Sequence, residues 1–401
     1  MMKGKTVLLG ITGSIAAYKI ANLASMLVKR GCSVHVIMTE NATHFINPIT
    51  FETLTGNKCY VDTFDRNFRF DVAHVSLAKQ ADVLLIAPAS ANMIAKLAYG
   101  LADDMLSTTA LACTCKKIAA PAMNTNMYQN PAVTENISRL RKFGFEVIEP
   151  DSGHLACGDT GAGKMPAEEV LLSYLEKEIA CEKDLAGKRV MVTAGATEES
   201  LDPVRFISNH STGRMGCELA RAAMLRGAQV SLVCARMSVA PPPFVHVISV
   251  RSAAEMFETV KAGYEKQDII IKAAAVSDYT PVTVSGDKIK KADDDLTLPL
   301  TRTVDILQWL GEHRPAGQFV CGFSMETRDM LQNSRAKLVK KNADMIVANN
   351  LKVSGAGFGT ATNVVTILTK DGERELPLMS KAEVAHAIFD EIQSRLHVKK
   401  G

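Results

Sequence analysis

The chain has 401 residues, with 46 Lys+Arg against 43 Asp+Glu and a formal charge of +3, a length that predicts two or three domains with a core each. A composition of 47% hydrophobic and 22% charged residues excludes a disordered chain, and the near-balanced charge excludes a dedicated nucleic-acid binder. No uninterrupted run of about eighteen apolar residues is present, so no membrane partner is expected.

In chain order, residues 5–10, 33–38, 82–87, 117–120 and 146–148 are predicted as buried parallel strands. The apolar segment 7–11 is too short for a signal peptide and belongs to the first strand. Helical patterns run over 15–30, ended by Gly31, and 131–143, ended by Gly144, while Cys113 and Cys115 fall in a helix-like apolar run. A helix over 168–179 and a polar connector over 181–188 follow. At Arg189 the alternation restarts, with strands at 189–194, 229–234, 268–272, 319–323 and 344–348 and helices at 216–226, 253–266 and 328–341. This predicts α/β architecture in two doubly wound (Rossmann/flavodoxin-like) domains, 1–184 and 185–401, with a polar exposed arm over 278–298. The nine cysteines form no CxxC pair and no zinc-ribbon spacing. They are expected to be mostly reduced core thiols of a cytoplasmic protein.

The motifs fall where such sheets bind ligands, at the carboxyl ends of strands. Residues 10–19 (GITGSIAAYK) form a small-residue turn into a helix, where backbone N–H groups can meet an anion. The spacing is not the GxGxxG dinucleotide fingerprint, and from this motif alone a ligand-free tight turn fits equally well. Thr39 ends the second strand, PASANM (88–93) follows the third, and PAMNTNM (121–127) follows the fourth. Residues 153–165 (GHLACGDTGAGKM) contain G-x4-G-K, but Met165 stands where a P-loop needs Ser or Thr. A glycine-rich flap carrying the Cys157 thiol over a site is the better reading. In the second half, residues 192–216 make a long strand-to-helix loop ending in Ser211-Thr212-Gly213, a place for phosphate.

Together GSIAAYK, PASAN, PAMNTNM and the flap resemble the flavin-dependent cysteine decarboxylases over residues 5–180. In particular they resemble the decarboxylase half of the bacterial bifunctional phosphopantothenoylcysteine decarboxylase/phosphopantothenate–cysteine ligases. The resemblance implies FMN at Gly13, Ser14, Ile15, Thr39, Ser90, Ala91, Asn92 and Met93. It also implies His74 as the catalytic histidine, Asn124 as the holder of the substrate carboxylate and Cys157 as the proton donor. Losing CO₂ from a cysteine needs an electron sink, which a flavin provides by oxidising the thiol-bearing carbon to a thioaldehyde. The resulting enethiolate is then protonated, and hydride returns from reduced flavin, so no nicotinamide is required. The flap's usual arginine is Lys164 here, which keeps the charge and loses the bidentate fork.

The 192–216 loop, AAAVSDY (273–279), KIKK (288–291), GFSMET (322–327) and ADMIVANN (343–350) resemble the ligase half of the same family. This implies CTP as co-substrate, with phosphopantothenate activated as an acyl-cytidylate and CMP then displaced by the cysteine amine. Asn209 would stabilise the acyl-cytidylate, and Lys288 on a mobile arm would face the triphosphate. Ala275, Asp278, Val304, Asp305, Ile306, Leu307, Phe323, Lys337 and Lys341 would contact the nucleotide, with Val304 where the family usually has proline. Mg²⁺ is expected on the CTP phosphates and not in an all-protein cage. By charge alone, KIKK and the i,i+4 pair Lys337/Lys341 read as a solvated basic face.

The expected function is therefore the synthesis of 4′-phosphopantothenoylcysteine from 4′-phosphopantothenate and cysteine, then its decarboxylation to 4′-phosphopantetheine, in coenzyme A synthesis. A homo-oligomer is implied, with ligase domains pairing and decarboxylase domains forming trimers or higher assemblies. The rival readings are an electron-transfer flavoprotein fused to a nucleotide-binding module, which leaves the Cys157 flap idle, and a non-catalytic regulator, which does not need both His74 and Asn124. A nicotinamide oxidoreductase lacks its glycines.

Overall fold

Thr6–Ile11 (β1) is apolar after its first residue, and every later position in it is buried. It sits mid-sheet, paired in parallel with Ser33–Met38 (β2) on one side and Val83–Ala89 (β4) on the other. β4 is buried at every position, as a strand covered on both faces must be. Cys59–Tyr60 (β3), Lys116–Pro121 (β5) and Glu146–Val147 (β6) complete a six-stranded sheet in the order β3-β2-β1-β4-β5-β6. The computed structural model describes residues 2–65, 72–154, 158–291, 295–326, 329–350, 357 and 359–398. The chain divides into two compact units, Met1–Cys181 and Glu182–Gly401.

Helix Ala17–Lys29 shows how the faces are covered. Ala17, Ile20, Leu23, Ala24 and Leu27 are buried, a stripe at helical spacing, and Gly31 follows its end at φ +79°. Leu8, Leu84, Ile86, Met93 and Leu106 meet in the core on the sheet. The flap residues form an antiparallel hairpin, Asp151–His154 (β7) with Thr160–Lys164 (β8). The G-x4-G-K segment is thus one arm of a hairpin and not a strand-to-helix phosphate loop, and Cys157 lies outside the described residues.

The second unit repeats the plan. Arg189–Ala194 (β9) starts it, and the loop after it holds a short hairpin of Glu198–Ser200 (β10) with Phe206–Ser208 (β11). Gln229–Cys234 (β12), His246–Ser249 (β13) and Ile269–Lys272 (β14) follow. The polar arm begins and ends in a small hairpin of Tyr279–Pro281 (β15) with Leu300–Arg302 (β16). Phe319–Glu326 (β17), Met345–Asn350 (β18), Thr362–Thr369 (β19) and Gly372–Ser380 (β20) complete an eight-stranded sheet, β13-β12-β9-β14-β17-β18-β19-β20. Its first six strands repeat the order of the other sheet, and β19 and β20 extend it antiparallel.

The α/β, doubly wound expectation holds for both units. The order is that of dinucleotide-binding folds even though the glycine fingerprint is absent, because strand order follows from chain connection while the fingerprint serves one ligand. One local expectation is corrected. The helix Met105–Ala112 stops at Cys113, whose backbone is extended, so Cys115 lies beyond the helix. Cys32, Cys59, Cys113, Cys217, Cys234 and Cys321 are buried free thiols.

Candidate functional site

In the first unit the carboxyl ends of β1 and β4 meet where the strand order reverses, and one side chain joins them. The buried Thr12 hydroxyl donates to the Pro88 carbonyl at 2.6 Å and accepts from the Ser90 N–H at 2.9 Å. Ser90 in turn caps helix Ala91–Tyr99, its Oγ accepting from the Met93 N–H at 3.3 Å. Met93 itself is in the core, while Asn92 is exposed. Across the edge, a Cβ on Gly13 would lie 2.8 Å from the Asn41 Cβ, so the loop after β1 runs directly over the start of the segment after β2. The Thr39 hydroxyl there is buried without a partner among the described residues. Small residues, helix N-termini and an unsatisfied hydroxyl on one edge fit a phosphorylated heterocycle such as FMN.

Beside that edge lies a cleft of about 430 Å³ lined by Ser14, Ile15, Tyr18, Met123, Asn124, His154, Gly163 and Lys164, among others. Ile15 and Tyr18 are more than half exposed. Asn124 caps the short helix Thr125–Gln129 through its Oδ1, and its Nδ2 donates to Asp159 at 2.7 Å. The hairpin is held against this loop: the Met123 N–H donates to the Gly163 carbonyl at 3.1 Å. A Cβ on Gly163 would come within 2.3 Å of the Met123 carbonyl oxygen, and its φ is +134°, so only glycine fits. His154 and Thr160 tie the hairpin arms at 3.0 Å. Of the expected residues, Ser14, Ile15 and Asn124 line this cleft; Gly13, Thr39 and the 90–93 segment stand at the adjoining strand ends. His74, the second residue of helix Ala73–Gln80, is half-buried and is not among the cleft's lining residues.

In the second unit, Asn209 reaches the carboxyl edge of the sheet by donating its Nδ2 to the Ala275 carbonyl at 3.2 Å. Two clefts open there. One, about 330 Å³, is lined by Asn209, Ser211, Arg214, Ala275 and Lys381, among others. The other, about 430 Å³, is lined by Val304, Asp305, Ile306, Leu307, Lys340 and Lys341, among others. Lys272, Val276, Asp278, Phe323 and Lys337 line both, so the two share a wall. The second cleft sets Lys272, Arg302, Lys337, Lys340 and Lys341 against Asp278 and Asp305, a surplus of cations suited to a polyphosphate.

Asp305 caps helix Ile306–His313, its Oδ1 accepting from the Gln308 N–H at 2.9 Å. Burial alone would raise its carboxyl; the Lys341 ammonium and the Gln308 N–H outweigh that and hold it below the ordinary range. Ile306 and Leu307 are buried, so the first-turn N–H groups are what they can offer a ligand. Lys341 is only 12% exposed at its side chain and bonds Asp305 and Gln308, which corrects the solvated-face reading for it. Lys288, Lys290 and Lys291 are exposed, as that reading has it, and Lys288 lines neither cleft. The base of its arm is fixed: the Ile289 N–H donates to Asp202 at 3.1 Å, and Arg205 donates to the Ile289 carbonyl at 2.9 Å. Burial would raise the Asp202 carboxyl, but the N–H groups of Val204, Ile289 and Arg205 outweigh it and hold it down.

Sequence reasoning missed several cations here, Arg214, Lys272, Arg302, Lys340 and Lys381, and two of them are held in specific settings. Lys381 is buried and donates to the Gly357 carbonyl at 2.8 Å. Lys272 ends β14, an otherwise all-isoleucine strand; burial, with Lys337 nearby, pushes its ammonium down to about 8. A lysine closing a buried strand at its carboxyl end was the signal available. Among the described residues, no group of three or more His, Cys, Asp or Glu could hold a metal ion, and no helix is long and apolar enough to cross a membrane.

The family described as Flavoprotein matches residues 1–180, and the one described as DNA/pantothenate metabolism flavoprotein C-terminal domain matches residues 185–396. Along its length the chain is 48% identical to the coenzyme A biosynthesis bifunctional protein CoaBC of Bacillus subtilis, covering 98% of this chain and 97% of that protein. The chain belongs to the CoaBC family. The CoaBC proteins of Vibrio cholerae and Escherichia coli are 42% and 39% identical, each match covering at least 98% of both chains. The CoaBC likeness thus extends over the flavoprotein-like unit and the unit bearing the paired clefts alike.

Proposed function

We propose that residues 1–184 form the decarboxylase domain and residues 185–401 the ligase domain of one coenzyme A biosynthesis enzyme. The chain is a bifunctional enzyme: it joins 4′-phosphopantothenate to cysteine at the expense of CTP, then decarboxylates 4′-phosphopantothenoylcysteine to 4′-phosphopantetheine. The observation that carries the ligase assignment is the shared wall between the Asn209 cleft and the cation-rich cleft. A carboxylate in the first can reach the α-phosphorus of a nucleotide in the second. Pyrophosphate leaves as the acyl-cytidylate forms; the cysteine amine then attacks the acyl carbon, loses a proton and expels CMP. Lys337, Lys341 and Mg²⁺ carried on the CTP phosphates offset the charge that develops on pyrophosphate. Asn209, fixed by Ala275, would hold the acyl-cytidylate, and Asp278 and Phe323 would bound the nucleotide.

In the decarboxylase domain, the backbone of Gly13–Ile15, the Thr39 hydroxyl and the 90–93 segment would hold FMN. FMN, when bound, supplies the electron sink that decarboxylation of a cysteine requires. Asn124 would hold the substrate carboxylate in the cleft, the hairpin would exclude water, and Cys157 would deliver the proton. Among the described residues, His74 is half-buried and Lys288 exposed, and neither lines the three clefts described above. A homo-oligomer, with decarboxylase trimers and ligase dimers, would supply both from neighbouring copies.

Purified protein should be yellow, release FMN on denaturation, and release pyrophosphate from CTP only with phosphopantothenate. A colourless protein that cannot be reconstituted, or one inert toward CTP, would overturn the respective half.

A further inference from the structure

Lys272 does not belong to the set of groups that the motifs single out, yet it stands at the junction of the two ligase clefts. It closes β14 next to β9, where the strand order of the second sheet reverses. The side chains meeting on the shared wall are Lys272, Val276, Asp278, Phe323 and Lys337, so Lys272 and Lys337 are its two cations. Among the described residues no carboxylate pairs with Lys272 within salt-bridge distance, whereas Lys341 on the neighbouring wall is committed to Asp305 at 2.7 Å.

We propose that Lys272 is a substrate-contacting residue of the ligase reaction, its ammonium binding the phosphoryl group that passes between the clefts as the acyl-cytidylate forms. This rests on the ligase reading of the unit. The α-phosphate is the one part of CTP that must lie at the boundary between acyl and nucleotide sites, because the bond to the carboxylate forms there. An unpaired ammonium at that boundary stabilises a phosphorane more than it does ground-state phosphate, since charge grows on the equatorial oxygens.

The surroundings add a signature. Lys272 is faced by Lys337 and Lys341 from the end of helix Met330–Lys340, by Asp305 from the cap of helix Ile306–His313, and by Asp278 from the loop after its own strand. Arg302 and Lys340 complete one cleft, and Arg214 and Lys381 the other. In this setting burial, with Lys337 nearby, pushes its ammonium down to about 8. A bound polyanion favours the charged form and raises that value, so binding takes up a proton once the pH exceeds it. Nucleotide affinity carried by Lys272 is therefore full below pH about 8 and declines above it.

The test compares wild type with Lys272→Met and Lys272→Arg in the full chain. CTP binding is followed by calorimetry from pH 7 to 9.5 and pyrophosphate release is assayed with phosphopantothenate and no cysteine, with folding checked by circular dichroism. Lys272→Met is expected to slow pyrophosphate release by about tenfold or more, the fold-change expected on losing a charge-assisted hydrogen bond. Lys272→Arg keeps the charge, so it should retain most of the activity at pH 7 and lose the decline in CTP affinity at alkaline pH. A folded Lys272→Met protein with wild-type release and an unchanged pH profile would overturn the proposal. So would a Lys272→Arg protein that keeps the wild-type decline. A wild-type chain that releases no pyrophosphate would instead overturn the ligase reading itself.

Discussion

The Lys341 ammonium lies 2.7 Å from the Asp305 carboxylate, and that carboxylate also caps the helix leading away from the cation-rich cleft. One side chain thus anchors a helix and holds a lysine in place on the wall of the cation-rich cleft. Asp305→Asn keeps a capping oxygen but removes the charge; Asp305→Ala removes both. Thermal melts should show Asp305→Ala destabilised by about 1 kcal/mol and Asp305→Asn by much less. Both should raise the KM for CTP, because Lys341 loses its anchor. Since the Asp305 carboxyl is held below its ordinary value, its charge supports folding at neutral pH. That support fades as pH falls through the lowered value. A wild-type–Asp305→Asn difference in melting temperature that does not shrink in acid would contradict this.

Thr12→Val leaves the Pro88 carbonyl and the Ser90 N–H without the hydroxyl that joins them. The loss should cost about 1–3 kcal/mol. It should also weaken flavin retention, since the two loops it links are those assigned to FMN. Flavin content after dialysis, read from the absorbance spectrum, checks this; full retention would detach Thr12 from the site.

Gly163→Ala should separate the two activities. The added methyl has no room against the Met123 carbonyl, so the hairpin must shift away from Asn124. Decarboxylation should fall by at least about tenfold if the hairpin excludes water and carries the proton donor. CTP-dependent pyrophosphate release, which depends on the other unit, should be unchanged.

Cys157→Ser should leave a folded, flavin-loaded protein that cannot complete the reaction, because a serine hydroxyl is a far weaker proton donor than a thiol. Anaerobic turnover of phosphopantothenoylcysteine gives the readout. Formation of 4′-phosphopantetheine at the wild-type rate would remove Cys157 from the mechanism.

His74→Ala and Asn124→Ala chains, each inactive alone, should regain decarboxylase activity when co-expressed and assembled together. The expectation follows because Asn124 lines the cleft beneath the hairpin while His74 is not among that cleft's lining residues. Mixed oligomers as inactive as the single variants would show that both residues serve one chain's site.

Much of this protein is written locally. The continuous apolar runs at β1, β4, β9 and β14 and the helical stripe from Ala17 to Leu27 are local hydrophobic patterns. So are the glycine and small-residue turns that follow the strands, and they suffice to announce two parallel α/β units. Pairing is not local. β3 has two residues, too few for any periodicity, and is a strand only because β2 offers it hydrogen bonds. β19 and β20 are long enough to carry a pattern, but that they extend the second sheet, and antiparallel, is decided by pairing with β18 and with each other. Charge runs were equally ambiguous along the chain: KIKK is exposed as its composition suggests, but Lys341 is held by a carboxylate 36 positions earlier in the sequence. Lys272 reads as one cation after three isoleucines. Folding alone brings it between two clefts whose other walls come from the segments after β11, β16 and β17, because burial and electrostatic neighbourhood are properties of three-dimensional packing and not of order along the chain.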